Sequence, residues 1–286
     1  MIMKKIGFID YYISEWHANN YPQWINDACE KLGAEYKVAY AWAELDVSPK
    51  YGENTAEWCE RFGAEKCETI AELCEKSDVI VILAPSDPEK HLGYAEEALK
   101  YGKRTYIDKT FSPDYATARK IFDIAQKYGT PFFSSSALRY GEELATDFEC
   151  REVITTGSGS NLPEYIVHQA EMVVKKLGLG AERVMAESFG TQTHIHVEYP
   201  DNRTATMIFA PSIPFTVYMS EAGEAKPVYR PVTSAYFVGL ITDMVRFFEE
   251  GTVSFDTAET LEVMKVREGA VKACQQVGRW LELSNL

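Results

Sequence analysis

The sequence predicts an α/β protein in which a doubly wound parallel sheet is followed by an α+β domain with a mainly antiparallel sheet. Three observations predict it. Strand-like runs alternate with helix-period segments from residue 6 to residue 134, the order of a parallel sheet with helical crossovers. One run, Asp78-Val79-Ile80-Val81-Ile82-Leu83-Ala84, is continuously apolar after its first residue and rich in β-branched side chains, as in a strand covered on both faces. Beyond Arg139 the alternation stops, and after one long helix several strands follow with only turns between them, which suits an antiparallel meander. The division is read at residue 139, giving domains 1–139 and 140–286, and 286 residues suffice for two cores.

Each element has its own signal. Residues 6–9 form the first strand, 10–17 the loop after it, and 21–32 a helix closed by Gly33. A second strand covers 35–42, and a short helix covers 57–62 with Asn54 or Thr55 as N-cap. Thr69 caps a helix over 70–76. The strand over 78–84 is broken by Pro85-Ser86-Asp87-Pro88, because proline withholds a backbone donor and favours turns. Leu92, Ala95 and Leu99 recur at helical spacing over 91–101, and Gly102 ends that helix. A strand over 105–107 runs into Asp108-Lys109-Thr110. Ser112 and Pro113 open a helix that reaches Tyr128 and Gly129, and 131–134 is the next strand.

In the second domain 152–155 reads as a strand and Gly157-Ser158-Gly159-Ser160-Asn161 as a flexible connector. A helix covers 162–177, and strands cover 182–190, 191–199, 205–209 and 215–220, with a turn at Asp201-Asn202-Arg203. An amphipathic helix over 237–249 ends at Gly251. Asp256 or Thr257 caps a last helix to about Val277, and 280–283 is a short final strand.

Bulk properties narrow the function. A net charge of −14 argues against nucleic acid or an anionic membrane as partner. Six cysteines without a C-x-x-C pair read as buried free thiols. The N-terminus enters a strand directly, without a signal peptide's apolar core, and no apolar run nears the roughly 18 residues of a membrane span. A cytoplasmic protein is expected.

Ligands of open α/β sheets bind at the carboxyl ends of the strands. That edge offers Ile9, Asp10, Tyr12, Ala84, Pro85, Asp108 and Lys109 as cofactor contacts. A Rossmann-type sheet that binds a dinucleotide carries G-x-G-x-x-G after its first strand. Here those positions read Asp10-Tyr11-Tyr12-Ile13-Ser14-Glu15, with carboxylates where phosphates would lie. An acid after the second strand, Glu44 or Asp46, suits ribose hydroxyls. Lys109 is a catalytic candidate by position, or a solvated lysine at a strand end. Glu164 and His168 share a helix face four residues apart, the arrangement of a carboxylate orienting an imidazole base. Glu164 also fits a capping box with Asn161.

His194 and His196, with Gln192 and Glu198, alternate on one strand face. They suit either a metal such as zinc or a polar face toward solvent or a partner subunit. The polar face is the simpler reading, and no metal is expected. The Gly157–Ser160 stretch suits an anion cradle or, more simply, a connector. Tyr11, Tyr12, Trp16 and Trp24 line a sugar-sized cavity or belong to the core.

The run 78–85, then His91, Ala98-Leu99, Gly102-Lys103 and Asp108-Lys109-Thr110, resembles the glucose–fructose oxidoreductase/inositol dehydrogenase (Gfo/Idh/MocA) family. That family reads D-x-V-x-I-A-T-P, H, A-L, G-K-H-V and E-K-P. Glu164-Tyr165-Ile166-Val167-His168-Gln169-Ala170-Glu171, ending at Leu177-Gly178, is similar to its D-x-x-x-H-x-x-D helix. Phe247-Phe248-Glu249-Glu250-Gly251 and Asp256-Thr257-Ala258 resemble later elements.

The resemblance implies a two-domain dehydrogenase using NAD or NADP on a sugar or polyol. Lys109, His168 and Glu164 would be its catalytic group, and the C-terminal sheet would join a homo-oligomer, a dimer or tetramer. The chain departs from the pattern at Asp108, Thr110, Glu164 and the missing glycine loop. The family's proline at the place of Thr110 often follows a cis bond, which threonine does not favour. Those departures support an alternative: redox-neutral acid–base chemistry in a lyase, hydratase or isomerase, or carbohydrate binding alone, without NAD(P). A noncatalytic oligomeric scaffold is a third reading.

Overall fold

The structure is a computed structural model and describes residues 3–221 and 224–286. The chain divides into two compact units: residues 1–113, 117–134 and 240–255, and residues 114–116, 135–239 and 256–286.

The first unit is built on a six-stranded sheet. Its strands are β1 (Lys4–Asp10), β2 (Tyr36–Ala43), β3 (Glu65–Lys66), β4 (Val79–Ile82), β5 (Thr105–Ile107) and β6 (Phe132–Phe133). Their order is β3-β2-β1-β4-β5-β6 and every pair is parallel. This is the expected doubly wound sheet, and its order reverses between β1 and β4, where such sheets bind ligands. The helices are α1 (Trp16–Leu32), α2 (Thr55–Phe62), α3 (Ile70–Lys76), α4 (His91–Ala98) and α5 (Tyr115–Tyr128).

Local chemistry sets most of these boundaries. Asn54 and Glu57 form a complete capping box on α2, and Thr69 Oγ1 accepts Glu72 N at 3.0 Å to start α3. Gly102 takes a left-handed φ of 67° after a 3₁₀ turn that finishes α4.

Two starts differ from expectation. α1 begins at Trp16 and not at residue 21, because Glu15 caps it and Pro22 costs only one helical hydrogen bond. α5 begins at Tyr115 rather than after Ser112, and Tyr115 N donates to the distant Glu268 at 2.5 Å.

The second unit holds a seven-stranded sheet. β7 (Glu152–Gly157) precedes α6 (Leu162–Leu177), and β8 (Arg183–Phe189), β9 (Gln192–Glu198), β10 (Thr204–Phe209), β11 (Thr216–Glu221) and β12 (Glu224–Pro231) follow. The chain ends with α7 (Tyr236–Glu250), α8 (Ala258–Ala273) and β13 (Leu281–Glu282). The order is β12-β11-β7-β10-β9-β8-β13. The sheet is mostly antiparallel as expected, but β7 enters between β11 and β10 and pairs parallel with β10. The sequence reading missed β12 altogether, and the last helix stops at Ala273 instead of running to Val277.

One face of this sheet, through Val153, Val184, Ile195, Val197 and Met207, packs in a core with α6 and α8. The two-residue strand period then turns His194 and His196 away from that core. Gly157 ends a strand instead of opening a connector, and a Cβ on Gly159 would lie 1.9 Å from the Tyr165 ring, so close packing accounts for that glycine. Residues 240–255, most of α7, cluster with the first unit, where Phe247 packs against Phe133 and Phe248 O accepts the Tyr36 hydroxyl at 2.8 Å. Among the described residues no helix is long and apolar enough to cross a membrane.

Candidate active site

At the carboxyl edge of the parallel sheet, β1 ends in Asp10, Ala84 follows β4, and Asp108 and Lys109 follow β5. All seven predicted cofactor contacts lie at this edge. Ile9, Asp10, Ala84 and Asp108 are buried, and Tyr12, Pro85 and Lys109 are half-buried. Lys109 Nζ donates to Pro85 O at 3.0 Å, which ties the end of β5 to the loop after β4. Contrary to the preference read from Thr110, the Lys109–Thr110 peptide is cis. His91 is buried, with Nδ1 3.0 Å from Phe111 O and Nε2 against Leu83 O.

The five residues between β1 and α1 hold a feature that was only half legible. Glu15 was visible as a carboxylate where a phosphate would lie, but not as a cap. Its Oε2 accepts His17 N at 2.7 Å and its Oε1 accepts Ala18 N. His17, which the sequence reading left in the loop, is buried and pairs through Nδ1 with Asp108 Oδ2, while Tyr106 donates to Asp108 Oδ1 at 2.9 Å. Asp10 Oδ1 accepts Tyr11 N at 2.7 Å and Ala84 N at 3.0 Å, and Ala84 has a left-handed φ of 67°. Asp10 Oδ2 is buried with no hydrogen-bond partner among the described residues.

These carboxyls behave differently because their partners differ. Burial, then the negative charge of Glu15, pushes Asp10 well above the usual carboxylate range. Burial also raises Glu15, against the pull of His17 and the two helix amides. Burial works to raise Asp108 too, but His17, Lys109 and Tyr106 outweigh it and hold Asp108 below its ordinary value.

A raised carboxyl favours the folded state while protonated, and that contribution is lost as pH rises from the unfolded value through the folded one. The melting temperature of the wild type relative to Asp10→Asn is therefore expected to fall as pH rises above the ordinary carboxylate range. A pH-independent difference in thermal melts would refute the assignment.

As they stand, Asp10 and Glu15 do not fit a pyrophosphate at the start of α1. The amides it would use are bonded to Glu15, and two acidic groups adjoin the place. Of the two acids proposed for ribose, Glu44 directly follows β2. It bonds Lys90 Nζ at 2.6 Å and the Tyr94 hydroxyl at 2.8 Å, whereas Asp46 pairs with Lys66 at 2.9 Å.

In the second unit His168 Nδ1 lies 2.7 Å from Ser136 Oγ, and the ring contacts Tyr165 and Phe215. Asn161 accepts Glu164 N at 2.9 Å and so caps α6, while Glu164 Oε2 accepts Ser160 Oγ and the Asn161 side-chain amide. Sequence reasoning missed Ser136 and the ion cluster behind it. Ser136 N donates to Glu171 Oε2 at 3.2 Å, Arg139 Nε donates to Glu171 Oε1, and Arg139 Nη2 lies 2.7 Å from Glu259 Oε2. The run Ser134-Ser135-Ser136 after a strand was the available signal.

His196 lies 3.1 Å from Glu187 and 3.2 Å from Thr206 Oγ1. Among the described residues no group of three His, Cys, Asp or Glu is placed to hold a metal. Tyr12 is half-buried and Trp16 is 43% exposed, so neither belongs to the core.

Residues 42–135 match the family model described as the oxidoreductase family with an NAD-binding Rossmann fold, Gfo/Idh/MocA. The match begins after β1, its following loop and α1. A dTDP-3,4-didehydro-2,6-dideoxy-α-D-glucose 3-reductase from Actinomadura kijaniata is 26% identical over 83 residues, 29% of this chain and 25% of that enzyme. The chain thus aligns with only a quarter of that curated relative.

Solved structures match nearly end to end. An oxidoreductase from Agrobacterium radiobacter, in complex with NAD⁺, L-tartaric acid and magnesium, superposes with a TM-score of 0.78 at 12% identity, over 99% of each chain. The apo scyllo-inositol dehydrogenase from Lactobacillus casei gives 0.76 at 12% identity, over 99% of this chain and 98% of that one. At such identity these structures show the fold, and the fold class read from the sequence, a parallel sheet followed by a mainly antiparallel one, is borne out.

Proposed function

On the premise of an oxidoreductase-family NAD-binding Rossmann fold, we propose that the chain is a nicotinamide-dependent oxidoreductase acting on a sugar or polyol hydroxyl. The observation that supports it most is Lys109. It stands at the carboxyl edge of the sheet, after the buried Asp108, tethered to Pro85 O, and within the stretch the family model matches. The reading assigns catalysis to Lys109, His168 and Glu164. His168, with Nδ1 engaged by Ser136, takes the hydroxyl proton on Nε2, Glu164 supports it, and Lys109 polarises the hydroxyl. Ile9, Asp10, Tyr12, Ala84, Pro85, Asp108 and Lys109 border the cofactor, NAD or NADP, whose chemistry is hydride transfer. The polyol and sugar named in two relatives support the substrate class.

The same reading includes a cytoplasmic homo-oligomer, a dimer or tetramer, formed through the C-terminal sheet. Tyr229 on β12 and Phe189 on β8 are 65% and 55% exposed there, and the mass in solution is the check.

The misfit of Asp10 and Glu15 favours a second reading, redox-neutral proton transfer in a lyase, hydratase or isomerase, or carbohydrate binding alone. Calorimetric titration with NAD⁺, NADH, NADP⁺ and NADPH separates the two. Saturable binding below about 1 mM, weakened by Lys109→Ala, supports the oxidoreductase and directs a sugar and polyol screen. Silence of all four up to that concentration moves the wild-type chemistry to the second reading.

A further inference from the structure

A pyrophosphate in an open α/β sheet uses the first amides of the helix after β1, where helix dipole and free N–H groups favour an anion. In this chain the amides of His17 and Ala18 both donate to one carboxylate, that of Glu15. Glutamate is not among the preferred N-caps, whose short side chains reach the helix start easily. Here the longer side chain places one oxygen on each amide, as a bound anion would.

The loop that presents Glu15 is fixed from several sides. Leu45 N donates to Tyr11 O at 2.7 Å, Ser48 Oγ donates to Ser14 O at 2.7 Å, and Ser14 Oγ donates to Glu53 Oε2 at 2.6 Å. It contains no glycine, and none of its residues takes a positive φ. Independently, Asp10 at the end of β1 is 1% exposed, and its Oδ2 has no hydrogen-bond partner among the described residues. Asp10 thus adds a second buried acidic group beside Glu15 at this edge. The titratable neighbours of Glu15 are Asp10 from β1, His17 from α1 and Asp108 from the end of β5.

We infer that Glu15 is a resident anion in the place of the dinucleotide pyrophosphate, and that a nicotinamide dinucleotide binds this chain only by displacing it. Glu15 is thus the residue that sets affinity for the pyrophosphate portion of the cofactor. The inference rests on the nicotinamide reading of this sheet edge. It goes beyond that reading by naming the residue that weakens it.

The test titrates NADH and NADPH, by nicotinamide fluorescence, into the wild type, Glu15→Ser, Glu15→Asn and Glu15→Asp. Adenosine, which has no phosphate, is the control ligand. Serine and asparagine are good neutral caps and keep the start of α1, while aspartate caps equally well and keeps the charge. Thermal melts confirm folding. Dinucleotide affinity is expected to rise about 30-fold or more in Glu15→Ser and Glu15→Asn, to change little in Glu15→Asp, and adenosine binding to stay unchanged.

If the wild type and the neutral variants bind NADH or NADPH equally well, the inference is overturned and the oxidoreductase reading survives. An equal gain for adenosine, or a gain in Glu15→Asp, overturns it too, since charge would not be the cause. If the wild type is silent while the neutral variants bind, the inference holds and the wild-type chemistry passes to the redox-neutral reading. If no variant binds a dinucleotide, the inference and the nicotinamide reading fall together.

Discussion

Replacing His168 with alanine is expected to lower kcat by about 10²- to 10⁴-fold, the usual worth of a positioned general base, on any sugar or polyol that the wild type turns over. Lys109→Ala is expected to lose a similar factor. Neither change should lower the melting temperature by more than about a degree or two, since both side chains are only half-buried.

The decisive quantity is the double variant. Groups that act on one hydroxyl are non-additive, so Lys109→Ala/His168→Ala should lose far less than the product of the single losses. Steady-state kinetics of the four proteins would give this. A fully multiplicative loss would mean that the two residues serve separate steps. Wild-type rates in either single variant would remove that residue from the catalytic group. Ser136 belongs to the same prediction, because its hydroxyl lies 2.7 Å from His168 Nδ1 and would fix the orientation of that ring.

The largest effect on stability is expected at Arg139, which is 4% exposed between Glu171 and Glu259. Burial opposes the guanidinium charge, and the two carboxylates more than restore it. Arg139→Leu leaves Glu171, 3% exposed, without its counter-ion. Breaking a buried pair from one side costs about 3–5 kcal/mol.

Differential scanning calorimetry should show the second unit melting several degrees earlier. Removing the partners as well, in Arg139→Leu/Glu171→Met/Glu259→Gln, should recover much of the loss, since neutralising all the ions together leaves no unpaired buried charge. A single variant as stable as the wild type would mean that the cluster contributes no net stability. Because Glu171 also accepts Ser136 N, Arg139→Leu should in addition lower kcat through the mispositioning of His168.

At most places governed by short-range chemistry, the reading from residues held. The covered strand at β4, the caps at Asn54, Thr69 and Asn161, and the closing glycine at 102 depend on neighbours within four positions. The parallel sheet followed from the alternation of periods, and the position of Lys109 at its carboxyl edge followed from the sheet. The start of α1 was misplaced although its signal is local. Glu15 is an uncommon cap, and its carboxylate reads equally well as a charge in a loop.

The partners of the site residues belong to another scale. His17 meets Asp108 across 91 positions, and Arg139 meets Glu171 and Ser136 meets His168 across 32 positions each. The parallel insertion of β7 beside β10 is likewise a pairing of segments far apart in the chain. The order of residues decided which strands and helices form and which chemical groups lie at the sheet edge. Only the folded chain decided that Glu15 fills the helix start, that His17 holds Asp108 charged, and that Ser136 orients His168. The last two contacts depend on register and packing between distant segments, which no local period encodes, whereas the Glu15 cap is local but carried by an uncommon capping residue.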